Sequence, residues 1–145
     1  MHARMDFYTA SPAALKAMIA LEGAIAKGSI EKSLAELVRL RVSQINGCAF
    51  CVDMHTTDAR KGGETERRLA SVVTWQETPF FTDRERAALA WAESLTLVSQ
   101  TRVADTTWDA VRPHFTDLEL SDLTLLIVAI NGWNRYAIAF RKVPA

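Results

Sequence analysis

Residues 36–55 read ELVRLRVSQINGCAFCVDMH, and this stretch holds the only two cysteines of the chain. Its first half continues a helix that begins near Ile30 and ends near Ile45. Asn46 and Gly47 then supply the two residue types that accept the left-handed backbone on which helices commonly stop. A second helix is expected to begin near Cys48 and to run to about Lys61, where Gly62 and Gly63 end it. The stretch therefore reads as helix, tight turn, helix, with Cys48 and Cys51 in the opening turn of the second helix.

The flanking sequence keeps the same period. Ser11 and Pro12 form an N-cap and first helical residue, and AALKAMIALEGAIAKG repeats its apolar positions every three or four residues up to Gly28. A shorter helix spans about Glu64 to Trp75, and Pro79 falls in the loop beyond. Thr82 with Glu85 has capping-box spacing ahead of the alanine-rich RERAALAWAESLTLVS. Asp105 and Thr116 start two more helices, the latter with Glu119 three residues on. A last helix is expected from about Ser121 to Arg141, and it contains the most apolar run, LTLLIVAI. No segment alternates as a strand does, and there is no internal repeat, low-complexity tract or linker. The expected fold is all-α, a single domain over residues 1–145 built from six to seven helices.

Composition narrows the function. At 145 residues and 49% hydrophobic content, the chain can bury a core without disulfides. Seventeen basic and seventeen acidic residues cancel, leaving no basic field for nucleic acid. The start, MHARMDFYTASPAALK, lacks the pattern of an export signal, and no apolar run approaches the ~20 residues that span a bilayer. A cytoplasmic protein with no membrane partner is expected. In that reducing compartment, a cysteine pair points to catalysis or metal binding rather than to a structural staple.

Advancing about 100° per residue, helical positions 48, 51 and 55 fall at about 0°, 300° and 340°. Both sulfurs and the His55 imidazole thus share one narrow arc. If the Asn46–Gly47 turn makes the two helices antiparallel, residue 36 is mirrored to within one turn of His55, and Glu36 can reach the imidazole. A carboxylate that orients an imidazole, which in turn takes a proton from a thiol, is the general arrangement of an activated nucleophile. The helix start should acidify both thiols. Cys48 is nearer that start, whereas Cys51, one turn from His55, has the better-placed base. Attack on a peroxide would give a sulfenic acid, which the second thiol could condense to a disulfide for an external reductant to reset.

At this point the chain resembles the AhpD-like proteins of the alkylhydroperoxidase and carboxymuconolactone decarboxylase superfamily. The resemblance rests on Glu36, Cys48, Cys51 and His55 at their spacing, and on TWQETPFFTDRERAALAWAE and AINGWNRYAIAFRKVP further along. It implies an all-helical fold, homo-oligomers built as trimers or hexamers, and a peroxidase with a disulfide-forming cysteine pair and no cofactor. Its substrate would be a hydroperoxide and its partner a thiol or dithiol reductant. Carried onto matching positions, Cys51 is the sulfenic-acid cysteine, Cys48 its resolving partner, and Glu36 with His55 the proton relay. The chain departs from the pattern at Phe50, where the best-known peroxidase of the group has a second histidine. The decarboxylase branch lacks the cysteine pair, so the CAFC segment argues against lactone decarboxylation.

Simpler readings stand beside this one. The cysteines could be two small apolar residues on a core helix. Cys48, Cys51, His55 and Glu36 also have the donor chemistry of a zinc-binding structural module, although three ligands within two helical turns strain a tetrahedral geometry. A non-enzymatic redox sensor or assembly module could form the same disulfide but turn over slowly. Glu36 could simply pair with Arg39. Asn131, Asn134 and Arg135 share one arc of the last helix and are read as a helix tie or subunit contact rather than a wall of the site. Trp75, Trp91, Trp108 and Trp133 are read as core or interface anchors.

Overall fold

The computed structural model describes all residues, Met1–Ala145, and contains nine α-helices, two short 3₁₀ segments and no strand. Local chemistry sets most of the boundaries. Asp6 caps α1 (Phe7–Ala10), and the Ser11 hydroxyl accepts from Ala14 N–H at 3.3 Å to open α2 (Pro12–Ala26). α3 (Lys32–Asn46) closes on Gly47, whose φ of 71° is the left-handed cap that the Asn-Gly pair predicts. α4 (Ala49–Lys61) follows at once, with Cys48 itself as the N-cap.

Thr65 caps α5 (Glu66–Ser71), which continues as a 3₁₀ segment over Val72–Glu77. The Thr82–Glu85 capping box starts α6 (Asp83–Thr96). α7 (Val98–Thr101) is a single turn, and α8 (Asp105–Val111) leads through a 3₁₀ turn at Arg112–His114 into α9 (Asp117–Ala139).

Two expectations are corrected. Thr116 and Ser121 do not start separate helices: the Thr116–Glu119 capping box opens one helix that passes through Ser121 to Ala139. Nothing between the two residues breaks the helix, because Ser121 lies exposed in its second turn, where a serine is tolerated. The count of nine exceeds six to seven chiefly through α1 and α7, four residues each and too short to display a period.

α3 is the hub. It packs against α4, α6 and α9 and touches the 72–77 turn. Leu34, Ala35, Val38 and Val42 meet Ala88, Trp91 and Ala92 of α6 and Leu123, Leu126, Ile127 and Ile130 of α9 in the larger core. Leu37 and Leu40 turn the other way, into a second core with Leu69, Val72, Trp75, Phe81 and Leu89. The alanines of α6 allow the close approach. The run LTLLIVAI is central, as expected, although Val128 within it is exposed. No helix is long and apolar enough to cross a membrane.

Between its apolar faces α3 carries a polar stripe, Glu36, Arg39, Ser43 and Asn46, at the i, i+3, i+7 and i+10 spacing of one helical face. This stripe builds the site.

Candidate active site

The stripe binds outward through specific partners. Glu36 Oε2 accepts from His55 Nδ1 at 2.8 Å, joining α3 to α4 as the mirror argument requires. Glu36 Oε1 accepts from Arg39 Nη1 at 2.6 Å, and Arg39 Nη2 donates to Glu22 Oε2 at 2.9 Å. Glu22 Oε1 accepts from Trp133 Nε1 at 3.0 Å. Both readings of Glu36 therefore hold at once: it pairs with Arg39 and it holds His55. Burial disfavours the Glu36 carboxylate, but the His55 and Arg39 contacts outweigh that and bring its pKa below the ordinary value. An ionised carboxylate accepts only, so the proton lies on His55 Nδ1 and Nε2 is left as the basic nitrogen.

Further along the stripe, Ser43 and Asn46 meet α9. Asn46 Nδ2 lies 2.9 Å from both Asn131 Oδ1 and Asn134 Oδ1, and Asn134 Nδ2 donates to Ser43 Oγ at 3.1 Å. Asn131 also donates to Thr96 Oγ1 at 3.2 Å, and Arg135 is exposed and bonds back to Asn131. The arc on α9 is thus a helix tie, and for Asn134 it is also part of the site, because its amide faces both sulfurs.

Both cysteines are reduced and buried, each 2% exposed. They are not equivalent. Cys48 Sγ accepts from Cys51 N–H at 3.4 Å, a sulfur serving as helix N-cap. The Cys51 thiol, bonded to Cys48, is the largest influence on the Cys48 pKa. Burial opposes it, but with the Cys51 and Phe50 amides and Asn134 added, the Cys48 value falls to about 7. That same bond, burial and the charge on Cys48 push the Cys51 pKa up. The expectation that both thiols are acidified is therefore corrected. Two sulfurs in contact inside a buried site hold one negative charge between them, and the resting charge falls on the capping sulfur.

Access distinguishes the sulfurs in the opposite sense. A cavity of about 320 Å³ is lined by Cys51, His55, Glu36 and Arg39, with Tyr8, Phe50, Met54 and Trp133 as its apolar walls. Cys48 opens instead on a separate cavity of about 440 Å³ bordered by the C-terminal residues. A larger hollow of about 580 Å³ on the far side of Glu36 and Arg39 contains neither sulfur.

Sequence reasoning did not single out Tyr8, which α1 brings over the Cys51 cavity. Burial is the main cause, with the charge of Asp6 adding to it, that raises its pKa and keeps its hydroxyl a donor. Its only sequence signal is an aromatic pair, Phe7–Tyr8, in an otherwise polar N-terminus. The signal for Ser43 and Asn46 was present in the stripe spacing on α3, and that for Asn134 in the arc it shares with Asn131 and Arg135 on α9, but neither spacing shows that the two faces meet.

The zinc set pictured from sequence is not gathered. The metal-ligating atoms that lie within 4.8 Å of one another are those of Glu36, His55 and Asp58, and the sulfurs are outside that group. The tryptophans divide: Trp75 and Trp91 are core, each with its indole N–H bonded, to Glu93 and Thr124. Trp133 walls the cavity, and Trp108, 43% exposed, rests against Trp91 with centroids 6.1 Å apart.

The model of the carboxymuconolactone decarboxylase family matches residues 12–94. An uncharacterized protein of Bacillus subtilis, YdfG, is 44% identical over 96% of this chain and 95% of its own length. The alkyl hydroperoxide reductase AhpD of Hyphomonas neptunium is 36% identical over 46% of this chain and 34% of its own length. Among solved structures, a protein of unknown function from Agrobacterium tumefaciens, provisionally assigned to antioxidant defence as an AhpD protein, superposes with a TM-score of 0.96. It is 40% identical, and 99% of each chain is covered.

Proposed function

The chain belongs to the carboxymuconolactone decarboxylase family, in an AhpD-like form, and from that premise we propose that it is a thiol-dependent hydroperoxide reductase. The observation that carries the reading is a buried dithiol of which one sulfur, Cys51, faces a cavity shared with a carboxylate-held imidazole.

In this cycle the proton of Cys51 passes to Cys48 or to His55 Nε2, leaving a Cys51 thiolate. That thiolate attacks one peroxide oxygen; the O–O bond breaks, and the alkoxide or hydroxide leaves with a proton from the relay. Cys51 is now a sulfenic acid. The Cys48 thiolate attacks Cys51 Sγ, expels hydroxide that becomes water, and closes the disulfide. The peroxide has gained two electrons from the two sulfurs, and an external thiol or dithiol must return them. Glu36, held ionised by Arg39, stabilises the imidazolium while the proton rests there. Phe7, Tyr8, Phe50, Met54 and Trp133 favour an organic hydroperoxide with an apolar body.

Homo-oligomeric assembly, as trimer or hexamer, is part of this reading; Ile19, Leu118 and Val128 are exposed on the single chain and give such contacts an apolar surface.

The test is one equivalent of hydroperoxide followed by mass spectrometry on wild type, Cys48→Ser and Cys51→Ser. The expected results are a disulfide, a sulfenic acid at Cys51 and no oxidation, respectively. Unchanged peroxide consumption by Cys51→Ser would overturn the proposal, and a sulfenic acid on Cys48 in that variant would reverse the two roles. A second reading, a redox sensor that forms the same disulfide slowly, is favoured by Phe50, which places no base on that wall of the cavity. It expects oxidation to change assembly while steady consumption stays near background.

A further inference from the structure

The two cysteines of the pair line different cavities, and the cavities differ in charge. That of Cys51 is lined by three carboxylates, Glu22, Glu36 and Asp58, against one guanidinium, Arg39. That of Cys48 is lined by Arg4, Arg141 and Lys142 and by no acidic residue.

These three cations have no carboxylate partner, for the ion pairs of the chain engage Arg39, Arg41, His55, Arg60, Arg68, Arg84 and Arg112. Arg4 is anchored to the α9 end by its Nη1, which donates to Ala139 O at 2.9 Å. Lys142 Nζ stands 4.4 Å from the Tyr8 ring centroid and 5.3 Å from that of Phe50, at the partition between the two cavities. In a chain with equal numbers of acidic and basic side chains, three cations without a carboxylate partner around the cavity of one reactive cysteine leave a local positive field there.

We propose that the Cys48 cavity is the docking site of the reductant, a low-molecular-mass thiol bearing carboxylates, which attacks Cys48 Sγ of the Cys48–Cys51 disulfide from the side opposite to the peroxide. This deepens the function proposed above and rests on its dithiol cycle. At about 440 Å³ the cavity lies in the range of small-ligand sites.

The reductant thiolate, its proton lost to solvent, bonds to Cys48 Sγ; the S–S bond breaks and Cys51 leaves as thiolate, taking a proton through His55, one helical turn away. A second reductant thiolate attacks the outer sulfur of the mixed disulfide, and Cys48 leaves as thiolate. Two external thiols end as one disulfide, and the protein regains its dithiol. Attack on Cys48 makes Cys51 the leaving group. The contact and charge that raise Cys51 both come from reduced Cys48, so both vanish once Cys48 is bound in the mixed disulfide.

The experiment uses the full chain with its disulfide formed by diamide, so that no peroxide step is involved. Single-turnover reduction is followed with glutathione, 2-mercaptoethanol and cysteamine, which are anionic, neutral and cationic, with rates expressed per thiolate. In Arg4→Gln/Arg141→Gln/Lys142→Gln the glutathione rate should fall about tenfold, with 2-mercaptoethanol changed by less than about twofold and cysteamine unchanged or faster. Added salt should slow glutathione in the wild type and not in the variant.

Equal losses for all three thiols, or no loss with glutathione, would overturn the docking proposal. As a check on the sulfur attacked, oxidised glutathione should form a mixed disulfide faster on Cys51→Ser, through Cys48, than on Cys48→Ser; the reverse order would overturn it. A protein inert to hydroperoxides that still shows this charge selectivity would lose its peroxidase reading and keep its docking site.

Discussion

Cys51 donates its backbone N–H to the sulfur of Cys48 at 3.4 Å, so the residue that caps helix α4 and the residue that faces the cavity are linked through one hydrogen-bonded turn. The pair shares a single charge. Cys48, lowered from 9.0 to about 7, contributes stability that is present above 9 and lost as pH falls through about 7. Cys51, raised from 9.0, acts in reverse: its contribution is full below 9 and is lost at higher pH. The reduced protein should therefore gain thermal stability between about pH 7 and 9 and lose it above 9. Thermal melts in reductant would measure this, alongside ultraviolet titration of the thiolate, whose midpoint is expected near 7. Cys48→Ser should remove both the midpoint and the rise while still folding, since serine is itself a good N-cap. A pH-independent melt in wild type would contradict the assignment.

The imidazole is expected to act through Nε2 only while Glu36 holds Nδ1, with the two atoms 2.8 Å apart. His55→Ala should slow peroxide-driven disulfide formation about hundredfold, within the span ordinary for general acid–base catalysis. Glu36→Gln keeps the shape but can present its amide N–H₂ to Nδ1, favouring the wrong tautomer, and about tenfold is expected there. Stopped-flow with a limiting hydroperoxide reads both. Disulfide formation by diamide, which needs no relay, should stay near wild type in each and so separates relay loss from misfolding. An unchanged peroxide rate in Glu36→Gln would remove the carboxylate from the relay.

Asn134 is fully buried and donates to Ser43 Oγ at 3.1 Å while its amide also faces Cys48. Asn134→Ala strands the serine hydroxyl in a dry core, at a cost of about 1–3 kcal/mol in denaturant unfolding. Because the amide is one of the groups that lower Cys48, the same variant should move the thiolate midpoint upward. A destabilised protein with an unmoved midpoint would leave Asn134 a helix tie alone.

Much of this site was legible in the sequence, and the part that was not has a physical cause. Cys48, Cys51 and His55 lie on one short helix, where 100° per residue suffices to align them. Glu36 needed only one further inference, the antiparallel turn at Asn46–Gly47, since two antiparallel helices place their partners by simple reflection. Ser43 and Asn134 depend on how α9, ninety residues later in the chain, crosses α3. No local period encodes that crossing. Thiol inequality escaped for another reason: dipole arguments treat each cysteine singly, whereas the split arises from the contact between them. Thr116 and Ser121 were both read as helix starts because a serine interior to a helix is locally indistinguishable from a cap.

Gly47 fixes where the turn delivers Cys48, and its φ of 71° lies where a Cβ is strained although no heavy atom comes within 4 Å of one. Its replacement is therefore a conformational test without steric side effects. Gly47→Ala should cost about 1 kcal/mol, and Gly47→Asn less, because asparagine tolerates the left-handed region. Gly47→Val, β-branched, should cost more than either. The contrast is Gly132 on α9, where an added Cβ would meet Met18 Cε at 3.1 Å and the outcome depends on whether that flexible side chain moves. Denaturant unfolding of the three Gly47 variants should rank them Asn, Ala, Val in order of increasing loss. The thiolate midpoint should hold in Gly47→Asn, since a turn kept in the left-handed region still presents Cys48 Sγ to the Cys51 amide.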